Sequence, residues 1–530
     1  MPVAPNFRRA LLAAGALAAL LPFAGIQPAG AQEVRAVMHS AIRILDPIIT
    51  TAHITRNHGY MIYDTLLGMD ENYQPQPQMA EWEVSEDGLV YRFTLREGLT
   101  WHDGTPVTAA DCVASLERWA ERDLGGQMLM EHTQSLEAEG DDVIVLTLSE
   151  PFTYVAELLA KPSSVPAFMM PARIAATPAS EAIEEHVGSG PFRFMVDEFQ
   201  PGVQAVYEKF EAYVPREEPA SWTAGGKVVN VDRVVWVAMP DAQTSMNALM
   251  GGEIDFIEQV PLDLLPILET NPELTVSVVN ELGGQTMGRM NFLHPPFDDP
   301  AIRRAALTAL SQEETLAAFI GNPDYYNVCG SFYGCGTPLA TEPDPSLIAS
   351  GDTERARAML EEAGYDGTPV VLLQPTDVAT VSAQPVVAAQ SLRAAGFNVD
   401  MQPMDWQSVV TRRASQELPA NGGWNMFFTN WVVPEIWNPV VNPMLGGAGR
   451  EDGWFGWPDD AALDDMRREF AAAETDEARL EIATRIQTHA LENVIYVPLG
   501  EYRSPSAWTS AIGNVLPSPA PVFWNLTKSQ

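Results

Sequence analysis

Cysteine is scarce in this chain: three residues among 530, at Cys112, Cys329 and Cys335. That excludes a cysteine-dense disulfide scaffold and a multi-cysteine zinc module. Histidine is also scarce, with eight residues scattered at positions 39, 53, 58, 102, 132, 186, 294 and 489. No compact His or Cys cluster exists, so neither a metal nor a cofactor is expected. Positive charge is in short supply, since 31 Lys and Arg stand against 70 Asp and Glu and the formal net charge is −39. Such a surface repels nucleic acid and anionic membrane, although a local positive pocket for an anionic solute remains permissible. The chain lacks a G-x-S-x-G elbow, an H-E-x-x-H helix and a Gly-rich phosphate loop, so the hydrolases those motifs mark are disfavoured and no enzyme is expected. No repeat of fixed period and no long linker divides it.

Apolar residues make up 46% of the sequence, enough for a large core. The length exceeds what one compact core holds, so more than one lobe is expected. Residues 1–31 stand apart. Arg8 and Arg9 precede "ALLAAGALAALLPFAG", no acid occurs before Glu33, and Ala29–Ala31 supply small residues for cleavage. This reads as a secretory signal peptide whose apolar run is short for a membrane anchor. The export route, general or twin-arginine, stays open. In an exported protein, "CGSFYGC" brings Cys329 and Cys335 within reach of one another through a Gly-rich loop. A disulfide is the reading, with two buried free thiols as its rival. Cys112 is left over as a small buried residue.

The stretch "FTLREGLTWHDGTPVTAADC", Phe93 to Cys112, concentrates chemically capable side chains. Its local logic is structural. "YRFTL" alternates as a half-buried strand, Asp103-Gly104 makes a turn, and Thr108 with Asp111 forms an N-terminal helix cap. Adjacent residues on an extended strand point to opposite faces, so His102 and Asp103 are badly placed to pair. Further along, strands and helices alternate: helix 242–250, a strand at Val276–Val278, a helix from Pro300, a capped helix at "DTERARAMLEEAG", and a buried strand at "VVLLQP". This βαβ rhythm predicts an α/β protein.

The same stretch, from Leu95 to Cys112, resembles the signature of the family 5 extracellular solute-binding proteins, the peptide- and nickel-type receptors of ABC importers, with Cys112 where Val is usual. "GSGPFRF", "GEIDF", "MNFLHPPFDDPAIRRAALTALSQEE" and "AGYDG" follow in matching order, so the resemblance spans about residues 33–525. It implies a two-lobed periplasmic binding protein fold, type II, of the large class with an extra subdomain in the first lobe. The expected layout is signal peptide 1–31, first lobe opening at 32–65, extra subdomain 66–185, first lobe continuing over 186–285, second lobe 286–490, and a C-terminal segment 491–530 returning to the first lobe. The implied function is capture of a small organic solute, a short peptide or amino-acid-like compound, between the lobes for delivery to the permease of an ABC importer. A non-peptide solute such as an aromatic acid, opine or sugar conjugate is the alternative. A periplasmic, monomeric receptor is expected.

A cleft between lobes needs ring side chains and a few oriented polar groups. "GGWNMFFTNWVVPEIWNP", Gly422 to Pro439, is the richest candidate, interrupted by residues that favour loop. Trp406, Trp431, Trp437 and Trp457 are candidate ligand-contacting rings, with core packing as the rival. Peptide-binding relatives carry an Asp-x-x-Asp-Pro pattern after the tryptophan to grip an ammonium group. Here Glu435 is the only acid and Asn438 precedes Pro439, so Glu435 is the candidate for that role and a solvated loop acid is the alternative. Gln285, Arg289 and Asn291 are polar in an apolar passage, with Arg289 a candidate carboxylate clamp or an interlobe salt bridge. Met38 and His39 end the first strand and are candidates for the first-lobe wall.

Overall fold

The computed structural model describes residues 32–529, and the signal-peptide expectation for residues 1–31 lies outside the described residues. Two mixed sheets organise the chain. The first has seven strands, in spatial order Phe192–Phe194, Gln204–Lys209, Arg233–Val237, Glu33–Val37, Phe256–Ile257, Pro505–Thr509 and Leu274–Val278. Its central strand, Glu33–Val37, runs parallel to both neighbours. Val34 and Ala36 are fully buried while Arg35 is exposed, the period-two pattern that sets the register.

The second sheet has six strands in the order Tyr326–Asn327, Val497–Tyr502, Gly284–Met290, Met426–Val432, Val370–Pro375 and Val399–Met404. Gly284–Met290 is hydrogen-bonded on both sides, and all seven of its residues are buried. The chain passes between the sheets at 279–283 and again at 503–504. The last strands are therefore shared: Val497–Tyr502 belongs to the second sheet, and the return to the first sheet happens after Tyr502 rather than from residue 491. Gly283 sits where the two crossings touch. Its φ is +67°, and a Cβ there would meet the Tyr502 carbonyl oxygen at 2.3 Å, so this approach requires glycine.

A third, four-stranded antiparallel sheet, Ala80–Val84, Val90–Leu95, Val143–Leu148 and Thr133–Glu139, packs against helix Ala109–Ala120. The Phe93–Cys112 stretch lies here and folds as its local chemistry dictates. Asp103 Oδ1 accepts from Thr105 N at 2.9 Å, Gly104 takes φ +85°, and Thr108 with Asp111 completes a reciprocal cap. His102 bonds across to the Gly188–Gly190 loop: Gly188 N donates to Nδ1 at 3.3 Å, and the opposite nitrogen, Nε2, faces the Gly190 oxygen at 3.0 Å. Burial pushes the imidazole pKa down to about 4, so it is a neutral brace. Asp103 pairs with Arg173 instead. Cys112 is wholly buried, and Cys329 and Cys335 form a disulfide across a Cα–Cα distance of 5.9 Å.

Candidate functional site

Two adjoining cavities open where the sheets face one another. The larger holds about 850 Å³ of space free of atoms, its mouth included, and the smaller about 460 Å³. They share His53, Gln259, Asn430, Trp431 and Tyr502, which form a waist between two chambers. The first sheet supplies Phe256, Glu258, Gln259 and Ser506 to the larger chamber. The N-terminal end of helix His53–Ile62 adds His53 and Arg56. The second sheet supplies Asn430 and Trp431 from the edge of Met426–Val432, and Tyr502 from the crossing strand. The smaller chamber adds His39, Thr51, Thr380, Trp406 and Arg413.

The chamber walls carry buried charge. Glu258 Oε2 accepts from His39 N and contacts His39 Nδ1, both at 2.8 Å. Behind His53 lies Glu435. Its Oε2 is 3.0 Å from His53 Nε2 and accepts from Val432 N at 2.7 Å, while Oε1 accepts from Ser163 Oγ. Arg56 in turn donates to Ser163 Oγ at 2.7 Å. Burial alone would raise both carboxyls. Neighbouring His and Arg charges outweigh it, and each is held below the usual carboxylate range. For His53 burial dominates, and its imidazole pKa is lowered.

Arg413 is the unusual group. It follows helix Trp406–Arg412, is 1% exposed, and stands over the rings of Phe455, Trp406, Phe427 and Trp454 at 5.0 to 5.8 Å. Its Nη2 donates to Thr51 Oγ1 at 3.3 Å, and Nε has no partner. Among the described residues no carboxylate pairs with it. Burial alone lowers its pKa to about 9, so the guanidinium stays charged at neutral pH.

Of the residues singled out by sequence, the structure brings His39, Trp406 and Trp431 to these chambers. The rest lie elsewhere. Met38 lines a separate small cavity of the first lobe beside Trp236. Gln285 and Arg289 lie in the central strand Gly284–Met290, whose two faces are both covered, so most of their polar atoms turn to nearby backbone, while Gln285 Oε1 and Arg289 Nη2 have no partner among the described residues. Gln285 Nε2 donates to the Ser331 oxygen. Arg289 donates to the carbonyls of Phe455, Met444 and Ile495, and makes neither a carboxylate clamp nor an interlobe salt bridge among the described residues. Asn291 donates to the Trp424 carbonyl just beyond the strand. Trp457 packs in the second lobe beside Trp424 and Phe455, and Trp437 packs on Tyr73. Glu435 is fully buried with both oxygens engaged, a second layer behind His53 rather than a chamber wall. Sequence reasoning missed His53, Glu258 and Arg413. The signal for Glu258 was its place two residues past "GEIDF", directly after the strand Phe256–Ile257. Arg413 gave none, because its aromatic neighbours come from segments up to 42 positions away in sequence. Among the described residues, one group has metal-ligand proximity, Cys329, Cys335 and Glu501, and its two sulfurs are spent in the disulfide.

Comparison with known proteins agrees with this architecture. Residues 74–451 match the family model described as "Bacterial extracellular solute-binding proteins, family 5 Middle". The chain is 38% identical over 527 residues to a probable peptide ABC transporter periplasmic-binding protein, y4tO, of Sinorhizobium fredii, covering 98% of each chain. It is 28% identical over 442 residues to the glutathione-binding protein GsiB of Pectobacterium atrosepticum, covering 80% of this chain and 78% of that one. Among solved structures, the periplasmic binding protein AgaA of A. tumefaciens R10, in complex with agropinic acid, superposes with a TM-score of 0.79 at 21% identity, covering 94% of this chain and 99% of that one. DppA of Helicobacter pylori, in complex with the peptide STSA, also gives 0.79, at 19% identity, covering 94% and 98%. These structural likenesses share the two-lobed fold, and the family model spans well over half of the sequence. The chain belongs to family 5 of the bacterial extracellular solute-binding proteins.

Proposed function

We propose that this chain is the periplasmic receptor of an ABC importer, and that its solute is a short peptide or amino-acid-like compound bearing a carboxylate. Family membership and the 38% identical peptide-transporter relative support the receptor role, with delivery to permease subunits in the inner membrane. The observation that carries the solute chemistry is Arg413. A buried guanidinium without a carboxylate partner is unfavourable in the empty protein. A ligand carboxylate entering the smaller chamber supplies the missing partner through the planar fork of donors, while Trp406 and Trp431 give ring surface to the solute's body. His39, His53, Asn430 and Tyr502 complete the proposed site. With walls contributed by both sheets, the solute bridges the lobes and favours their closed arrangement.

Native mass spectrometry of the purified protein, followed by calorimetric titration of any solute it retains, tests this. The expected result is a retained or titrated solute with a free carboxylate. A solute lacking any acidic group, or chemical turnover of the bound compound, overturns the reading.

A further inference from the structure

We infer that Glu258, on the first lobe, receives the ligand's ammonium group, and that Glu435 does not. This rests on the receptor reading above and deepens it. Glu258 lines the larger chamber but not the smaller, whereas Arg413 lines the smaller but not the larger. Two buried groups of opposite charge thus sit on either side of one waist. Glu258 Oε2 is occupied by His39, while Oε1 has no hydrogen-bond partner among the described residues. Its one ion pair there is with His39, since Arg56 spends its donors on Asn57 and Ser163. The Glu258 side chain is 11% exposed, so its open oxygen faces the chamber rather than bulk water. Glu435 has neither property, because both of its oxygens are engaged and it does not line either chamber.

Arg56 lines the same chamber but makes no direct ion pair with Glu258, so an incoming cation that meets the open Oε1 lowers the free energy of this buried carboxylate, as an incoming carboxylate does for Arg413. The substrate class follows from the separation. In a single α-amino acid both charged groups hang from one carbon and cannot occupy two chambers at once. In a short peptide they are separated by peptide units that pass the waist beside Asn430 and Trp431. The fitting ligand is a linear zwitterion, with its ammonium toward the first lobe and its carboxylate toward the second.

Ligand-stripped protein is incubated with a casein hydrolysate, or with the same hydrolysate after acetylation of its primary amines, and bound peptides are counted by native mass spectrometry. The wild-type chain is expected to load at least about tenfold more from the untreated pool. Glu258→Gln removes that preference to within about twofold, and Glu435→Gln retains it. Circular dichroism checks the fold of each variant, and the two-pool comparison on wild-type protein needs no variant. Equal loading of the wild-type chain from both pools overturns the inference and leaves the receptor reading intact. So does a preference lost in Glu435→Gln and kept in Glu258→Gln. Loading from neither pool overturns the peptide-type solute itself, and this inference with it.

Discussion

Replacing Arg413 by methionine should stabilise the ligand-free protein while removing its hold on carboxylate solutes. The guanidinium is 1% exposed, caged by four rings, and joined to the protein by one 3.3 Å hydrogen bond to Thr51. Burial alone takes its pKa from the ordinary arginine range down to about 9. Each pKa unit corresponds to about 1.36 kcal/mol, so roughly 5 kcal/mol bounds the penalty of keeping it charged in the empty protein. Packing around the side-chain stem and water in the chamber reduce that figure, which leaves an expected gain of about 1–3 kcal/mol for an apolar chain of similar length. The sign is open to a pH test. Below about pH 9 both folded and unfolded arginine are charged and the full penalty is present. Between about pH 9 and the ordinary arginine range the folded form sheds its proton first, so the unfolded chain binds more protons and wild-type stability gains on the variant. Differential scanning calorimetry of stripped protein should show Arg413→Met melting a few degrees above wild type at pH 7, with the gap narrowing toward pH 10. Isothermal titration should show binding of carboxylate solutes weakened at least about 100-fold, the scale for removing one partner of a buried charge pair. A variant that melts lower and still binds would refute the argument, because Arg413 would then be a packing element.

Other expectations follow from the same structure. Changing Cys329 and Cys335 together to serine opens a short loop, and the chain-entropy relation gives a loss of about 2 kcal/mol, read from urea unfolding with and without reductant. Gly283→Ala forces a Cβ against the Tyr502 carbonyl at a positive φ, so a loss of about 1–3 kcal/mol is expected, with ligand-induced compaction in small-angle scattering weakened. Glu258 and Glu435 have folded pKa values below their ordinary ones. Their stabilising contribution is complete above the unfolded carboxylate range and disappears as pH falls through the lowered folded values. Glu435→Gln should therefore flatten the acid limb of the melting-temperature profile, and an unchanged limb would count against its buried network.

Much of the architecture was readable because its causes are local. The turn at Asp103-Gly104 and the Thr108–Asp111 cap involve residues within a few positions of each other. The helix at 242–250 and the strand at 370–375 announce themselves through a cap at Asp241 and an apolar run bounded by turns. The disulfide closes over six positions. The site was less readable. Trp406 and Trp431 reach the chambers, yet Trp437 and Trp457, no different in composition or flanks, pack elsewhere. Gln285 and Arg289 look functional in an apolar run, but a strand flanked on both sides and covered on both faces turns such groups inward to backbone carbonyls.

The sequence by itself determined the family, the α/β order of elements and the places where helices and strands begin, since caps, turns and hydrophobic period act between near neighbours. Only the tertiary structure decided which charges are left without a partner. Thr51 and Arg413 meet across 362 positions, and His53 and Glu435 across 382. Whether a buried carboxylate or guanidinium is already satisfied depends on atoms brought from the other end of the chain. An unsatisfied charge facing a cavity is what a solute can answer.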